Sequence, residues 1–312
     1  MVHLKKIGGS ALLTALFIMT LVAIVATAMS MRLQLDIYRT RLIINHDKLY
    51  QASQAVTFWG LSELRDSGKA FSKTLSQDMI SVYPGNMHSL VPQISLSGGL
   101  YDLQAKFNIN LVSEKKRIAL FINVLKQVVP QITTEDANNL ALALSDWLNP
   151  YDPSKGDNYT GYYNSQNPAY YASHQFMQSK SELRLIKDVE APIYQALAPF
   201  ITALPDSAAM NLNTASKPVL MSLGNGLSES QLDEVLQARG EEGITEPEKA
   251  NELLAKLNLP ADQITLQSTF FLTVAYANME EFHLVVYTLM KRSKDKNKKL
   301  VVRILRQSFN EF

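Results

Sequence analysis

Residues 149–171 read NPYDPSKGDNYTGYYNSQNPAYY, and oxygen donors crowd there: Asn149, Asp152, Ser154, Asp157, Asn158, Thr160, Asn164 and Asn167, interleaved with six tyrosines from Tyr151 to Tyr171. Calcium is a hard cation that takes six to eight oxygens from carboxylates, amides, carbonyls and water, so an acidic loop without sulfur or a histidine cluster suits it. On that chemistry Asp152 and Asp157, helped by Asn149 and Asn158, form a candidate structural calcium site. Its use would be to hold a long polar segment against neighbouring helices, with no reaction to perform. The spacing is not that of an EF-hand, and two carboxylates give a weakly charged site. The same composition also suits a plain polar surface loop or an aromatic, sugar-facing one.

The rest of the chain offers little reactive chemistry. Cysteine is absent, which removes disulfides, thiol nucleophiles and thiolate metal sites together. The five histidines include no HxxxH pair, and there is no G-x-S-x-G, P-loop or G-x-G-x-x-G. An enzyme is not the expected class. Net charge is +1 with 19% charged residues, so the chain as a whole has no nucleic-acid footprint. Residues 211–239 do resemble a helix-hairpin-helix: Asn211-Leu212-Asn213-Thr214-Ala215, a helix through Leu223, the turn Gly224-Asn225-Gly226, then a helix opened by Ser228 with Gln231 closing a capping box. Such hairpins often grip DNA phosphates, which makes a membrane-anchored DNA-binding protein of a DNA-uptake system the alternative function. Two basic residues (Lys217, Arg239) against three acidic ones argue for a structural use. The turn from Lys291 to Lys299 has six basic residues and one acid, which suits a solvated hairpin turn, with an anionic partner as the lesser alternative.

The element that must position all of this is N-terminal. Residues 7–31 carry no charge, follow Lys5 and Lys6, and open with Gly8-Gly9. Ser10 to Met31 gives about 33 Å of helix, enough to cross a hydrocarbon core of about 30 Å. Three readings compete: a cleaved signal peptide with a small-residue site at Ala26-Thr27-Ala28, an uncleaved anchor, and a prepilin leader cut after Gly9 to leave Ser10 as the mature N-terminus. No proline interrupts residues 32–66, so span and soluble stem form one helix. Leu35, Tyr38, Leu42, Leu49, Ala52, Val56 and Trp59 make one apolar stripe along it, and Ser67-Gly68 ends it.

Beyond the helix the texture alternates. Turns at Pro84-Gly85-Asn86, Pro92 and Gly98-Gly99 separate expected strands at Ile80-Tyr83, Leu90-Leu96 and Tyr101-Asn108. Helices are expected at Ser113-Val129, at Thr133-Leu148 with Thr133 and Asp136 as a capping pair, around Ser181-Ile186 and at Tyr194-Leu204. Strands return at Thr269-Tyr276, Phe282-Met290 and Leu300-Ser308.

Taken in order, these segments resemble the minor pseudopilin K family of the type II secretion system. The features that carry the likeness are the Gly9/Ser10-Ala11-Leu12-Leu13 start, Asp102-Leu103-Gln104-Ala105-Lys106-Phe107-Asn108-Ile109-Asn110, Asp146-Trp147-Leu148, Ser181-Glu182-Leu183-Arg184, Asn211-Leu212-Asn213-Thr214-Ala215 and the closing strand pair. Pilin-like families carry a glutamate five residues into the mature chain that pairs with the terminal amine of the subunit above. Here that position is Thr14. The resemblance implies an α+β fold: a pilin-like long N-terminal helix and antiparallel sheet, with a large helical domain (SAM-like, or helix-hairpin-helix-like) inserted. The corresponding division is a leader at 1–9, a transmembrane helix at 10–31, the periplasmic half of the helix at 32–66 and the first part of the sheet at 67–110. The inserted helical domain with the calcium-candidate loop follows at 111–206, the helix-hairpin-helix-like unit at 207–266 and the last strands at 267–312. It implies a non-enzymatic subunit at the tip of a pseudopilus for protein export across the outer membrane, anchored once in the inner membrane with its C-terminal part in the periplasm. Implied partners are minor pseudopilins I and J, the prepilin peptidase and the inner-membrane assembly platform, with exported proteins as further contacts, the membrane itself, and no nucleic acid. It also implies calcium in the loop after Asp146-Trp147. The family favours Gly-Arg where Ala105-Lys106 stand, Asp at Asn149, and a Gly-Ala-Glu-Asp run where this chain has Gly156-Asp157-Asn158.

Overall fold

In a computed structural model that describes residues 10–152, 159–309 and 312, the N-terminal helix α1 runs unbroken from Ser10 to Arg65. At 1.5 Å per residue its 56 residues reach about 84 Å. Its N-terminal half is apolar and not covered by any other part of the chain. The hydroxyls there are spent inside the helix: Thr14 Oγ1 donates to the Ser10 carbonyl at 2.7 Å, Thr20 to Phe17 at 2.8 Å and Thr27 to Ala23 at 2.8 Å. A span in lipid needs that, because no water is present to satisfy them. The apolar stripe divides along its length. Leu49, Ala52 and Val56 are buried against the sheet, whereas Leu35, Tyr38 and Leu42 lie on an open face.

After α1 come β1 (Met79–Val82), β2 (Ser95–Asp102), β3 (Phe107–Asn108), α2 (Ile118–Val128), α3 (Thr134–Leu148), α4 (Thr160–Asn164) and α5 (Ala191–Leu197). Next are β4 (Ile201–Thr202), β5 (Met210–Asn211), α6 (Lys217–Leu220), α7 (Glu229–Arg239), α8 (Pro247–Lys256) and β6 (Ile264–Thr265), and the chain closes with β7 (Phe270–Met279), β8 (Phe282–Lys294) and β9 (Leu300–Phe309). The main sheet is antiparallel throughout, in the order β1-β2-β7-β8-β9. Strands β2 and β7 pair from Ser95↔Asn278 to Asp102↔Phe271, so everything from residue 103 to residue 269 is inserted between two adjacent strands. α1 covers one face of this sheet at close range. A Cβ on Gly98 would sit 2.2 Å from the Val274 carbonyl oxygen and 2.8 Å from Val56 Cγ1, and one on Gly60 2.4 Å from Thr273 Oγ1. The insertion has its own core, built around Phe107, Phe121, Leu144, Trp147, Tyr163 and Leu197.

A buried polar junction ties the insertion to the sheet. Asp102, fully buried at the end of β2, accepts hydrogen bonds from Gln104 N (2.9 Å), Asn211 Nδ2 (3.0 Å), Thr214 Oγ1 (2.6 Å) and Ser268 Oγ (2.7 Å). Gln104 donates to the Ala209 carbonyl and accepts from Thr269 and Phe270. Asn108 clasps Leu204 and Asp206, Asn110 clasps Met177 and Leu204, and Asn213 clasps Ile244 and Leu266. Buried polar groups persist where each finds partners. This is the physical content of the two asparagine-rich motifs.

That network also explains where the local expectations differ from the fold. The alternation from Tyr101 to Asn108 predicts one strand. The strand instead stops at Asp102, whose side chain caps a single 3-10 turn at Leu103–Ala105 before the short β3. The strand expected at Leu90–Leu96 is displaced to Ser95–Asp102. The helix expected from Ser113 begins only at Ile118, after 3-10 turns at Ile109–Ser113 and Lys115–Arg117. The segment Tyr194–Leu204 splits because Ile201–Thr202 pairs in parallel with Phe107–Asn108. The strand β8 runs on to Lys294, so the charged turn is shorter than expected. Two of its basic residues serve the fold: Lys291 pairs with Asp206, and Arg292 donates to the Leu64 carbonyl in the last turn of α1 and to the Asp66 and Lys69 carbonyls just beyond it.

Candidate functional site

The oxygen-rich stretch begins where α3 ends. Thr133 caps the start of that helix by accepting from Asp136 N at 3.0 Å. At the other end Asn149 folds back over the helix terminus, its Nδ2 donating to the Ser145 carbonyl (2.8 Å) and the Ser113 carbonyl (3.2 Å). Its own carbonyl meets His174 Nδ1 at 3.0 Å. Beside this terminus lies an open cavity of about 470 Å³, walled by Ser145, Asp146, Asn149, Asp152, Thr160 and His174 among others. Tyr163 lies at its buried floor, and Trp147 packs against Tyr163 within the core, their rings 5.4 Å apart and near perpendicular. Neither the Trp147 Nε1 nor the Tyr163 hydroxyl has a well-formed hydrogen bond among the described residues. Burial holds the Tyr163 hydroxyl well above the usual phenol range, and the nearby Asp146 charge pushes the same way. Tyr159 is raised for the same two reasons.

Of the four calcium candidates, Asn149 and Asp152 line this cavity together, and Asp157 and Asn158 lie outside the described residues. The structure adds Asp146, which reaches the same cavity from the last turn of α3; its place in the Asp146-Trp147-Leu148 motif was the signal for it. The donors suit calcium in kind, being carboxylate, carbonyl and hydroxyl oxygens. They supply only part of a shell. No group of three or more His, Cys, Asp or Glu side chains placed to hold a metal exists among the described residues, so a third carboxylate would have to come from Asp157, outside them. Asn149 would have to contribute Oδ1, since its amide nitrogen is committed to the helix end.

The hairpin between α6 and α7 is arranged for structure. Gly224 and Gly226 take the left-handed backbone the turn demands, with φ of 61° and 98°. The Gly224 N–H donates to Gln263 Oε1 at 2.8 Å and the Gly226 N–H to the Leu223 carbonyl at 3.0 Å. Amides engaged in this way are not available to a phosphate. Arg239, one of the two basic residues of the unit, donates to the Ala215 carbonyl at 2.9 Å. The capping box of Ser228 and Gln231 is formed as the sequence predicts. At the N-terminus, Ser10 and Thr14 begin α1, and Gly9 lies outside the described residues.

The chain is similar to known proteins in sequence and in fold. Two family models described as type II secretion system (T2SS), protein K match residues 105–206 and 210–269, together more than half of the chain. A type II secretion system protein K from Pseudomonas aeruginosa is 27% identical over 215 residues, 66% of this chain and 63% of that relative's length. One from Aeromonas hydrophila is 28% identical over 232 residues, 67% of this chain and 68% of the relative. Among solved structures, the chain superposes with a TM-score of 0.65 and 20% identity on one described as the GspK-GspI-GspJ complex from the enterotoxigenic Escherichia coli type 2 secretion system, over 88% of this chain and 100% of that one.

Proposed function

The chain belongs to the type II secretion system protein K family, and from that premise we propose that it is a non-enzymatic minor pseudopilin that starts or caps the pseudopilus. The observation that carries this reading is where the insertion leaves the sheet. α1 runs from its apolar half toward Arg65, and Leu49 packs with Ala277, Met279 and Leu284, whereas Leu61 and Leu64 pack with Leu100, Phe271 and Met290. Asp102 and Phe270, the two exits, therefore stand at the end of the sheet farthest from the membrane half of the helix. With the apolar half in the inner membrane and the head in the periplasm, residues 103–269 crown the subunit. A bulky crown leaves room for neighbours below and obstructs one above.

Thr14 supports the same reading. Its hydroxyl is spent on the Ser10 carbonyl, and it offers no charge to a terminal amine of an overlying subunit. Processing after Gly9 would make Ser10 the mature terminus, and intact-mass measurement on membrane fractions decides it; a terminus at Met29 would point to ordinary signal-peptide cleavage. The partners proposed are minor pseudopilins I and J, together with the prepilin peptidase and the assembly platform. Calcium held by Asp146, Asp152 and Asp157 would fasten the 149–158 segment to the end of α3, bringing fixed positive charge and no catalytic step.

The test is position. Labelled protein is expected at one end of the pseudopilus, co-purifying with the two minor pseudopilins, and its deletion should impair secretion and alter pseudopilus number or length. Thr14→Glu should be tolerated or mildly disruptive. Label along the shaft at the stoichiometry of the major pseudopilin refutes the assignment. The DNA-uptake reading requires salt-dependent DNA binding, against which the internally satisfied hairpin amides stand.

A further inference from the structure

The sheet face opposite α1 is only partly covered by the insertion. Leu204 and Ala208 pack on it beside Leu272, Val274 and Leu289. Next to that contact the two units stand apart and enclose a cleft of about 420 Å³. Tyr101, Tyr276 and Tyr287 wall it from the sheet, the last with Phe312 stacked on its ring at 6.2 Å, Tyr194 and Lys180 from the insertion, and Lys106 from the junction between them. A volume of this order accommodates a ligand of drug or short-peptide size.

Among the described residues the side-chain charges that line the cleft do not balance. Lys106 pairs with Asp78 at 3.0 Å, with both side chains largely buried at 17% and 12% exposure. Lys180 is half-buried, and its ammonium donates to the Ala198 carbonyl at 3.2 Å without a carboxylate partner among the described residues. Burial and the neighbouring Lys106 both lower the pKa of Lys180, with Asp78 opposing them in part. Among the described residues the side chains lining the cleft thus bring two ammonium groups and one carboxylate, that of Asp78, to a partly desolvated wall, where an uncompensated charge is costly. Thr202, which also lines the cleft, has a buried hydroxyl with no partner among the described residues. None of these groups belongs to the oxygen-rich loop or to the hairpin.

We propose that this cleft docks an acidic peptide segment of a partner protein, with one side-chain carboxylate seated between Lys106 and Lys180 and flanking apolar or aromatic side chains laid on the tyrosines. The stoichiometry favours this occupant: one carboxylate neutralises one excess ammonium. Phosphate or nucleic acid would call for more cationic charge and for the planar fork of arginine. Tyrosine walls supply rigid amphipathic contact area of the kind that protein recognition uses. The proposal holds wherever in the filament the subunit sits.

Isothermal titration of the full chain in detergent micelles tests it, with acetyl-Phe-Leu-Asp-Phe-amide and its Asp→Asn counterpart as probes. The aspartate peptide should bind about tenfold more tightly, as a charge-assisted bond in a partly buried site allows. Lys180→Met should bring the two peptides within about twofold, and Lys180→Arg should restore the preference. Tyr276→Ser, at the exposed rim, should weaken both peptides by a similar factor and keep their ratio, which decides the matter even if Lys180→Met does not fold. Equal binding of the two peptides by the unmodified chain overturns the proposal. So does a preference that survives Lys180→Met, an affinity untouched by Tyr276→Ser, or inorganic phosphate binding more tightly than the peptide.

Discussion

Asp102→Ala should uncouple the insertion from the sheet, and its cost follows from the donors it strands. The carboxylate accepts four hydrogen bonds in a fully buried position. The Thr214 and Ser268 hydroxyls can turn toward other acceptors, but the Gln104 N–H is fixed by the backbone, and the Asn211 amide, held by its bonds to Ser268 Oγ (2.8 Å) and Asn213 N (3.0 Å), leaves the hydrogen aimed at Asp102 without an acceptor; at about 1–3 kcal/mol for each stranded donor the two cost about 2–6 kcal/mol. A cost near 4 kcal/mol is a large share of the stability of an ordinary domain. The two tryptophans make the assay specific, because Trp59 packs on Tyr83 beneath the sheet while Trp147 sits in the core of the insertion. Urea unfolding of the full chain in micelles, with Trp59→Phe and Trp147→Phe backgrounds, reports the two units separately. The substitution should lower both midpoints and separate the two transitions. Thr214→Val, which removes one donor and leaves the carboxylate three, should cost about 1–2 kcal/mol. A loss below about 1 kcal/mol for Asp102→Ala, or transitions that stay superimposed, refutes the view that this junction holds the insertion in place.

The same carboxyl predicts a pH dependence. Burial, opposed by its hydrogen bonds, raises its pKa above the usual carboxylate range, so the added stability that comes from the folded state's tighter hold on the proton is full below about 3.9 and is lost as pH rises through the raised folded value. Asp102→Asn should remove that slope, and parallel pH profiles for the two proteins would contradict it. Gly98→Ala should destabilise by about 1–3 kcal/mol, because the added methyl meets the Val274 carbonyl at 2.2 Å and backbone cannot step aside cheaply; thermal unfolding checks it, and an unchanged midpoint refutes it. Calcium, with magnesium as control, should raise the melting temperature in a concentration-dependent way, reflecting a stabilisation of about 2.7 kcal/mol at a hundredfold excess over Kd. Asp157→Ala should abolish that gain and Asp146→Asn should reduce it; no shift at millimolar calcium leaves the loop as plain surface.

What the sequence determined by itself was local. The absence of proline from residues 32–66 gives an uninterrupted helix, Thr133 with Asp136 and Ser228 with Gln231 mark where two helices start, and alternation near the C-terminus marks three strands. Caps, breakers and alternation act over a few residues, so a short window contains both the cause and its effect. Gly60 shows the limit: in sequence it reads as a tolerated helical glycine, and only the approach of Thr273 explains why nothing larger stands there. The segment Tyr101–Asn108 shows it more sharply. Its apolar residues alternate as a strand would, yet Asp102, Gln104 and Asn108 are as buried as Leu103 and Phe107. Likewise Lys106 and Lys180, or Asp146 and Asp152 around one cavity, become neighbours only when the insertion folds back on the sheet and on itself. A carboxylate such as Asp102 can be buried only where donors from residues 104, 211, 214 and 268 converge on it, and that convergence belongs to the tertiary structure because no stretch of chain contains it.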